Sequence, residues 1–337
     1  MGPLYLKYDS YIECRLCPHR CKIPEGKTGI CGVRKNTGKK IELLTYGVIS
    51  GHALDPVEKK PLYHFFPGHN ILSIGSYGCN MKCDFCQNWQ ISQSHQSEFK
   101  ANTSIEKLLQ EAGLAEKNIG IAFTYNEPVI WFEFMRDTAI KFKEKGFFTV
   151  MVSNGFVSRE PLNEITKFID AFNIDLKAFN GSFYKKLTGA DLEDVMETLR
   201  LIAEKGKHLE ITTLIIPGKN DNTDEMENQA KWIADELGED VPLHISRYFP
   251  MYKRQDPVTP QSTLDTLLEA ASAYLKNVYL GNTGSPSGQD TFCKKCGITV
   301  TKRYGYSTRL LNLYSQGNCI KCGSRVYRYF TCQTSNG

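Results

Sequence analysis

The chain has 337 residues, 41% of them hydrophobic, and a formal net charge of +4 at pH 7. This length and composition suffice for one large domain with small appendages. No stretch approaches the 18 consecutive apolar residues of a membrane-spanning helix, and the N-terminus lacks the pattern of a secretory signal, so we expect a cytoplasmic protein.

Twelve cysteines favour metal binding over disulfides, because cytosolic thiols stay reduced. The first four have the spacing C-x2-C-x3-C-x9-C within residues 1–70, which we expect to form an N-terminal metal-binding segment. They are Cys14, Cys17, Cys21 and Cys31. Four thiolates suit either zinc or an iron–sulfur cluster. Zinc is the expected occupant, and a second cluster is the open alternative.

Three further cysteines follow an apolar run in GCNMKCDFCQNW, with the spacing C-x3-C-x2-C. They are Cys79, Cys83 and Cys86. Tetrahedral zinc sites and ordinary [4Fe–4S] clusters both take four protein ligands, so three thiolates imply a cluster with one iron left open. The alternative is a zinc site that His95 completes.

Residues 71–284 alternate between short apolar runs and amphipathic segments, which predicts parallel strands joined by helices. The first helix is expected to begin with a capping box formed by Thr103 and Glu106, and Gly146, Gly206 and Gly238 lie where three helices should end. We expect α/β architecture, a whole or partial parallel (β/α) barrel, with its chemistry at the carboxyl ends of the strands. The predicted strands are 71–77, 120–126, 147–153, 171–177, 208–216, 243–249 and 277–281, and the predicted later helices are 129–145, 161–169, 191–205, 223–237 and 263–276.

Several predicted strands end in polar residues at the rim where a cofactor would bind. A charge favoured by a helix N-terminus is the alternative for Glu127, and a buried ion pair is the alternative for Asp175 and Lys177. Lys177, His244 and Arg247 are candidates for the substrate side. The cofactor candidates are Phe85, Tyr125, Asn126, Glu127, Ser153, Asn154, Asp175, Lys177, Thr212 and Leu214.

The last four grouped cysteines form two C-x2-C pairs in residues 285–337. They are Cys293, Cys296, Cys319 and Cys322. This pattern predicts a zinc ribbon, because a closed four-thiolate site can fold a short segment that has little core. Residues 293–330 contain eight lysines and arginines and no acidic residue. The ribbon could bind RNA, but docking against the barrel or an acidic partner is favoured.

The cysteine triplet resembles that of the radical SAM superfamily. The segments CRLCPHRCKIPEGKTGICGVR, DPVEKKPLYHFFPG, TYNEP, DLK and LGN occur in the right order to resemble the radical SAM component of the AmmeMemoRadiSam system, which is related to pyruvate formate-lyase activating enzyme. The resemblance implies that S-adenosylmethionine (SAM) binds the open iron. It implies co-encoded MEMO-like and AMMECR-like partners and an electron donor of the flavodoxin or ferredoxin type.

The resemblance also implies roles for individual residues. Phe85 packs near the adenine, which Thr212 and Leu214 line further along. Tyr-Asn replaces the Gly-Gly that usually precedes Glu127 in the methionine-binding segment. Ser153 and Asn154 help hold the ribose or the methionine carboxylate, and Asp175 with Ser153 could hold a monovalent cation.

The implied activity is reductive cleavage of SAM to methionine and a 5′-deoxyadenosyl radical, which abstracts hydrogen from a substrate. No catalytic acid or base is assigned, because SAM carries the radical. A protein or peptide substrate is expected, as for a glycyl-radical activase, and a small molecule is the alternative within the enzyme class. A zinc-dependent RNA- or partner-binding protein without radical chemistry is the alternative outside it. That protein would contain zinc and no iron.

Overall fold

The structure is a computed structural model that describes residues 4–93 and 101–331. Its strands are β1 Tyr5–Lys7, β2 Ile12–Cys14, β3 Lys22–Ile23, β4 Arg34–Asn36, β5 Ile41–Leu43, β6 Val48–Ile49, β7 Gly51–Pro56, β8 Asn70–Gly75, β9 Ala101–Asn102, β10 Asn118–Phe123, β11 Phe148–Ser153, β12 Ala171–Asp175, β13 His208–Ile215, β14 Leu243–Arg247, β15 Val278–Gly281, β16 Thr291–Phe292, β17 Thr299–Tyr304 and β18 Ser307–Leu310. Its α-helices are α1 Trp89–Ser92, α2 Ile105–Leu114, α3 Phe132–Glu144, α4 Arg159–Phe168, α5 Gly181–Phe183, α6 Leu192–Glu204, α7 Thr223–Glu236 and α8 Gln261–Ser272. Short 3-10 turns cover Val57–Lys59 and Pro128–Trp131, and a π-helical turn covers Tyr184–Thr188.

The central sheet has eight strands in the order β15-β14-β13-β12-β11-β10-β8-β7. Seven of them, β8 and β10 to β15, are parallel and lie side by side in the order of the sequence. This arrangement confirms the predicted partial barrel, and all seven predicted strands are present. The eighth strand, β7, pairs antiparallel with β8 and comes from the segment before residue 71. The boundaries of the three predicted domains stay predictions.

The helix ends follow from local side-chain chemistry, with one correction. Ser104 caps α2, because its side chain accepts a hydrogen bond from the Lys107 N–H. The predicted capping box from Thr103 to Glu106 is therefore wrong by one residue. Gly146, Gly206 and Gly238 have positive φ just after α3, α6 and α7, as predicted for helix C-termini.

A buried carboxylate closes the inside of the barrel below the strand ends. Glu210 on β13 accepts hydrogen bonds from the backbone N–H groups of Tyr63 (2.9 Å) and His64 (2.8 Å) and from the rings of His208 (2.9 Å) and His244 (2.7 Å). The next residues of this segment, Phe65 and Phe66, pack against the apolar ends of β8, β10 and β11. Glu210 thereby anchors residues 57–68 across the barrel.

The C-terminal ribbon, β16 to β18, docks on that same segment through an arginine. The Arg303 side chain is buried, its guanidinium lies 4.1 Å from the ring centroid of Tyr63, and Nη2 donates to the Tyr63 carbonyl (2.9 Å). Tyr327 is buried too and contacts Thr301. Arg303, one of the eight basic residues that suggested RNA binding, therefore points inward, and the ribbon docks on the barrel as favoured.

Among the described residues, no α-helix has both the length and the apolar character needed to cross a bilayer.

Replacement of Glu210 by glutamine is expected to lower the free energy of unfolding by about 3–5 kcal/mol, because one fixed carboxylate serves four donors. Burial opposes its charge, but the hydrogen bonds from His208 and His244 hold the pKa of Glu210 well below its usual range. Its contribution to stability is therefore present above the ordinary glutamate pKa and lost as the pH falls below it. Urea unfolding at several pH values measures both effects.

The matched control is Glu204→Gln on the exposed end of α6, which is expected to change stability by less than about 0.5 kcal/mol. Equal losses for the two variants would contradict the anchoring role of Glu210.

Candidate functional site

A cavity of about 770 Å³ lies at the carboxyl ends of the parallel strands and is lined by all three cysteines of the triplet. Its volume is in the range of cofactor and substrate pockets. All ten residues proposed from the sequence as cofactor contacts line it as well: Phe85, Tyr125, Asn126, Glu127, Ser153, Asn154, Asp175, Lys177, Thr212 and Leu214.

The triplet lies in a loop whose backbone is tightly constrained. Asn126 accepts a hydrogen bond from the Ser76 N–H (2.9 Å) and donates one to the Gly78 carbonyl (3.0 Å). Gly78 has a φ of +80°, and a Cβ there would lie 2.3 Å from the Cys31 carbonyl oxygen. Only glycine fits at this position, so the loop that begins at Cys79 starts from a fixed point.

Cys83 is buried, Cys79 and Cys86 are partly exposed, and two of the three thiols receive polar contacts. Cys79 Sγ accepts from the Met81 N–H (3.3 Å) and from Asn154 Nδ2 (3.6 Å), and Cys86 Sγ lies 3.1 Å from the Ser92 hydroxyl. Burial raises the pKa of Cys83 to about 12 and that of Cys79 well above its usual range. Metal binding at these thiols would therefore release protons, and hydrogen bonds to sulfur would tune a bound cluster.

Glu127 lies just after the end of β10 and contacts the carboxyl end of the neighbouring strand, β11. Its carboxylate accepts hydrogen bonds from Val129 N (2.9 Å), Ser153 Oγ (2.8 Å) and Asn154 N (2.8 Å). Burial raises its pKa to about 7 in spite of these bonds. It caps the 3-10 turn at Pro128–Trp131, as the structural alternative expected, and it lines the cavity at the same time.

Tyr125 replaces a glycine of the superfamily pattern and adopts a left-handed φ of +71°. Its ring lies over Gly51 and Gly75, where an added Cβ would come within 3.0 Å of the ring. Its hydroxyl donates to Asp55 (2.7 Å). The two glycines on β7 and β8 form a groove for this side chain, which explains how a tyrosine is tolerated there.

Asp175 and Lys177 form the ion pair that was the structural alternative, with Lys177 Nζ 2.8 Å from Asp175 Oδ2. Burial disfavours the Lys177 charge, yet Asp175 and Cys83 nearby raise its pKa. A monovalent cation at Asp175 would compete with this ammonium. Ser153, its other proposed ligand, already donates to Glu127.

The two substrate-side candidates on β14 lie in different places. His244 lines the cavity, and its ring is held by Glu210. Arg247 donates to Gln261 (2.5 Å) at the start of α8 and is absent from the described residues that line the cavity. A substrate contact by Arg247 has no support in this geometry.

Two charged residues of the segment DPVEKKP, Glu58 and Lys60, also line the cavity, although neither was a predicted site residue. Lys60 is almost fully buried, its Nζ lies 2.6 Å from Asp55 and 4.7 Å from the centre of the Tyr125 ring. Burial lowers the pKa of Lys60 to about 8, although Asp55 opposes this shift. Glu58 lines the same wall, and burial raises the pKa of its carboxyl. The available signal was the group of four charged residues in DPVEKKP directly before the largely apolar run LYHFF, since buried charges are rare without a partner.

The ribbon contributes both a metal site and part of the cavity wall. The sulfur atoms of its four cysteines, Cys293, Cys296, Cys319 and Cys322, all lie within 4.8 Å of one another and could bind a metal ion. Gly305 and Tyr306, at the turn between β17 and β18, line the cavity. His95, the alternative fourth ligand of the triplet, lies outside the described residues.

Comparisons with known proteins agree with this geometry. The radical SAM superfamily profile matches residues 73–232. The uncharacterized protein MJ0808 of Methanocaldococcus jannaschii is 39% identical over 321 residues, which are 94% of this chain and 96% of that protein. Pyruvate formate-lyase 1-activating enzyme of Escherichia coli strain K12 is 26% identical over 185 residues, 53% of this chain and 74% of that enzyme. A solved radical SAM methyltransferase from Sphaerobacter thermophilus shares the fold, with a TM-score of 0.52 at 14% identity over 67% of this chain and 71% of that one.

The Lys60 amine is expected to react with a small acylating reagent with a pH midpoint of about 8, because burial lowers its pKa. The labelled fraction at each pH is measured by peptide mass spectrometry. Asp55→Asn should move the midpoint downward, since Asp55 favours the charged form. Lys59→Gln removes a like charge and should move it upward. A midpoint near 10.4, the value of a free lysine, would contradict the assigned environment.

Proposed function

We propose that this chain, which belongs to the radical SAM superfamily, binds a [4Fe–4S] cluster at Cys79, Cys83 and Cys86 and uses it to cleave SAM reductively. One observation carries this proposal: among its described residues, the cavity wall contains these three cysteines and no fourth. The histidine on that wall, His244, is held by Glu210. A cluster bound by three thiolates keeps one iron free for SAM.

When bound, the cluster and SAM supply a 5′-deoxyadenosyl radical that abstracts hydrogen from a substrate. We assign the methionine end of SAM to Asn126, Glu127, Ser153 and Asn154, because they share one end of the cavity with Cys79. Glu127 is fixed by three hydrogen bonds, so it presents a preorganised carboxylate to an amino group. Phe85, Thr212 and Leu214 are assigned to the adenosine end.

The substrate is proposed to be a protein or peptide, as expected for a relative of pyruvate formate-lyase 1-activating enzyme. We further propose that the chain is the radical SAM component of the AmmeMemoRadiSam system, with MEMO-like and AMMECR-like partners and a flavodoxin or ferredoxin as electron donor. Four thiols at zinc-like spacing support zinc in the ribbon. A monovalent cation at Asp175 and Ser153 and the cytoplasmic location stay predictions.

A small-molecule substrate is the second candidate, and Glu58 and Lys60 favour it. Both side chains are buried and both line the cavity, where they could bind complementary charges of a compact ligand. RNA binding by a zinc protein without radical chemistry has less support, because Arg303 and Tyr327 of the ribbon are packed inside.

Anaerobically reconstituted protein with dithionite is expected to convert SAM to 5′-deoxyadenosine and methionine. Cys83→Ala should abolish the cleavage and remove about four iron atoms per chain, since the triplet would lose a ligand. His95→Ala is the matched control and should leave iron content and cleavage unchanged. If instead His95→Ala removed a zinc ion and Cys83→Ala left cleavage intact, the assignment would be wrong.

The substrate class is tested by the fate of deuterium. A MEMO-like or AMMECR-like partner protein containing α-deuterated glycine is expected to transfer deuterium to 5′-deoxyadenosine, which mass spectrometry detects. Unlabelled partner protein is the control. Deuterium transfer from a deuterated small-molecule extract, with none from either protein, would favour the second candidate.

A further inference from the structure

The four N-terminal cysteines line one small cavity behind the triplet loop. Cys14 and Cys31 are buried, and Cys17 and Cys21 are partly exposed. The same cavity is lined by Asn80, the residue directly after the first cysteine of the triplet. The four thiols therefore form one site that adjoins the triplet loop.

Three contacts join this site to the triplet loop. The Cys31 carbonyl lies against Gly78 so closely that no side chain fits there. His19 Nε2, between Cys17 and Cys21 in the sequence, donates to the Asn80 carbonyl (2.8 Å), and its ring meets Phe156 edge-on. Asn80 in turn donates to the Phe156 carbonyl (2.7 Å). Gly78 and Asn80, the two neighbours of Cys79, thus contact the N-terminal cysteine segment directly.

A buried positive charge lies at the same site. Arg34 is 2% exposed and lines the small cavity, and its two terminal nitrogens pair with the Glu133 carboxylate at 2.7 Å each. Its Nε has no hydrogen-bond partner among the described atoms. A buried donor without a partner is costly, and an anionic sulfur-rich group in this cavity would provide one.

Sulfur spacing distinguishes one metal ion from a cluster. A tetrahedral zinc site with Zn–S bonds of about 2.3 Å brings its sulfurs to about 3.8 Å from one another. Among the described residues, only the ribbon group brings three or more possible ligand atoms within 4.8 Å. No three sulfur atoms of the N-terminal four, nor the three of the triplet, meet this limit, so in each group at least one pair of sulfurs lies farther apart. Wider spacing suits a cubane, in which each thiolate binds a different iron.

We propose that Cys14, Cys17, Cys21 and Cys31 bind a second [4Fe–4S] cluster, which exchanges single electrons with the triplet cluster by way of Gly78 and Asn80, the neighbours of Cys79. This inference rests on the proposed function for its electron acceptor. In each transfer the reduced second cluster loses one electron and the triplet cluster gains it. A flavodoxin- or ferredoxin-type donor then restores the electron to the second cluster. No proton or bond is exchanged.

Iron and zinc quantification on anaerobically reconstituted protein tests the occupant. The wild type should contain about eight iron atoms and one zinc ion per chain, and the double variant Cys17→Ala/Cys21→Ala, which keeps only two of the four thiolates, should contain about four iron atoms with the zinc kept. Cys83→Ala should lose the other four iron atoms, and Cys296→Ala should lose only zinc. About four iron atoms and two zinc ions in the wild type would overturn the proposal and leave the proposed function standing.

Electron paramagnetic resonance of the dithionite-reduced wild type tests how close the two clusters lie to each other. Two reduced clusters this close should broaden each other's signals, and SAM should perturb only one of them. The broadening should disappear both in Cys17→Ala/Cys21→Ala and in Cys83→Ala. Two sharp, independent signals in the wild type would overturn the electron exchange. Failure of the proposed function would differ, since SAM would then perturb neither signal.

Discussion

The active site depends on one backbone constraint, the immobilisation of residues 76–80. Asn126 fixes the start of this turn by binding Ser76 and Gly78, and the Cys31 carbonyl contacts Gly78 from behind. Side-chain and backbone contacts of Asn80 then tie the turn to Asn154 and Phe156, in the loop that follows β11, and to His19. Because the turn is held on both sides, the three thiols of the triplet line the cavity in a defined arrangement before any metal binds.

The lower half of the barrel has a complementary task. Glu210 gathers four donors from three parts of the chain, and Phe65 and Phe66 fill the space below with apolar rings. This packing ends the cavity at the level of His244. The reactive space is thus confined to the carboxyl ends of the strands, where water can be excluded around a bound cofactor.

The repeating elements could be predicted from sequence because they depend on local periodicity. The seven parallel strands and the glycine-terminated helices have that origin, and so does the placement of polar strand ends around one cavity. Other features depend on contacts between distant residues. Tyr125 is accommodated by glycines on β7 and β8, and Lys60 faces the cavity only because β7 joins the sheet edge. Ser104, and not Thr103, is the N-cap of α2. Both residues have a hydroxyl group that can accept a hydrogen bond from the first turn, so the sequence alone does not distinguish between them.

The ribbon hairpin that contains Arg303 connects the ribbon's metal site to the wall of the cavity. The same hairpin that carries Arg303 into the interior ends at Gly305 and Tyr306, which wall the cavity. If the ribbon holds zinc, as proposed, loss of that ion would remove the scaffold of this hairpin and open the cavity on that side. A radical formed in the opened cavity would then be quenched by solvent before it reached a substrate.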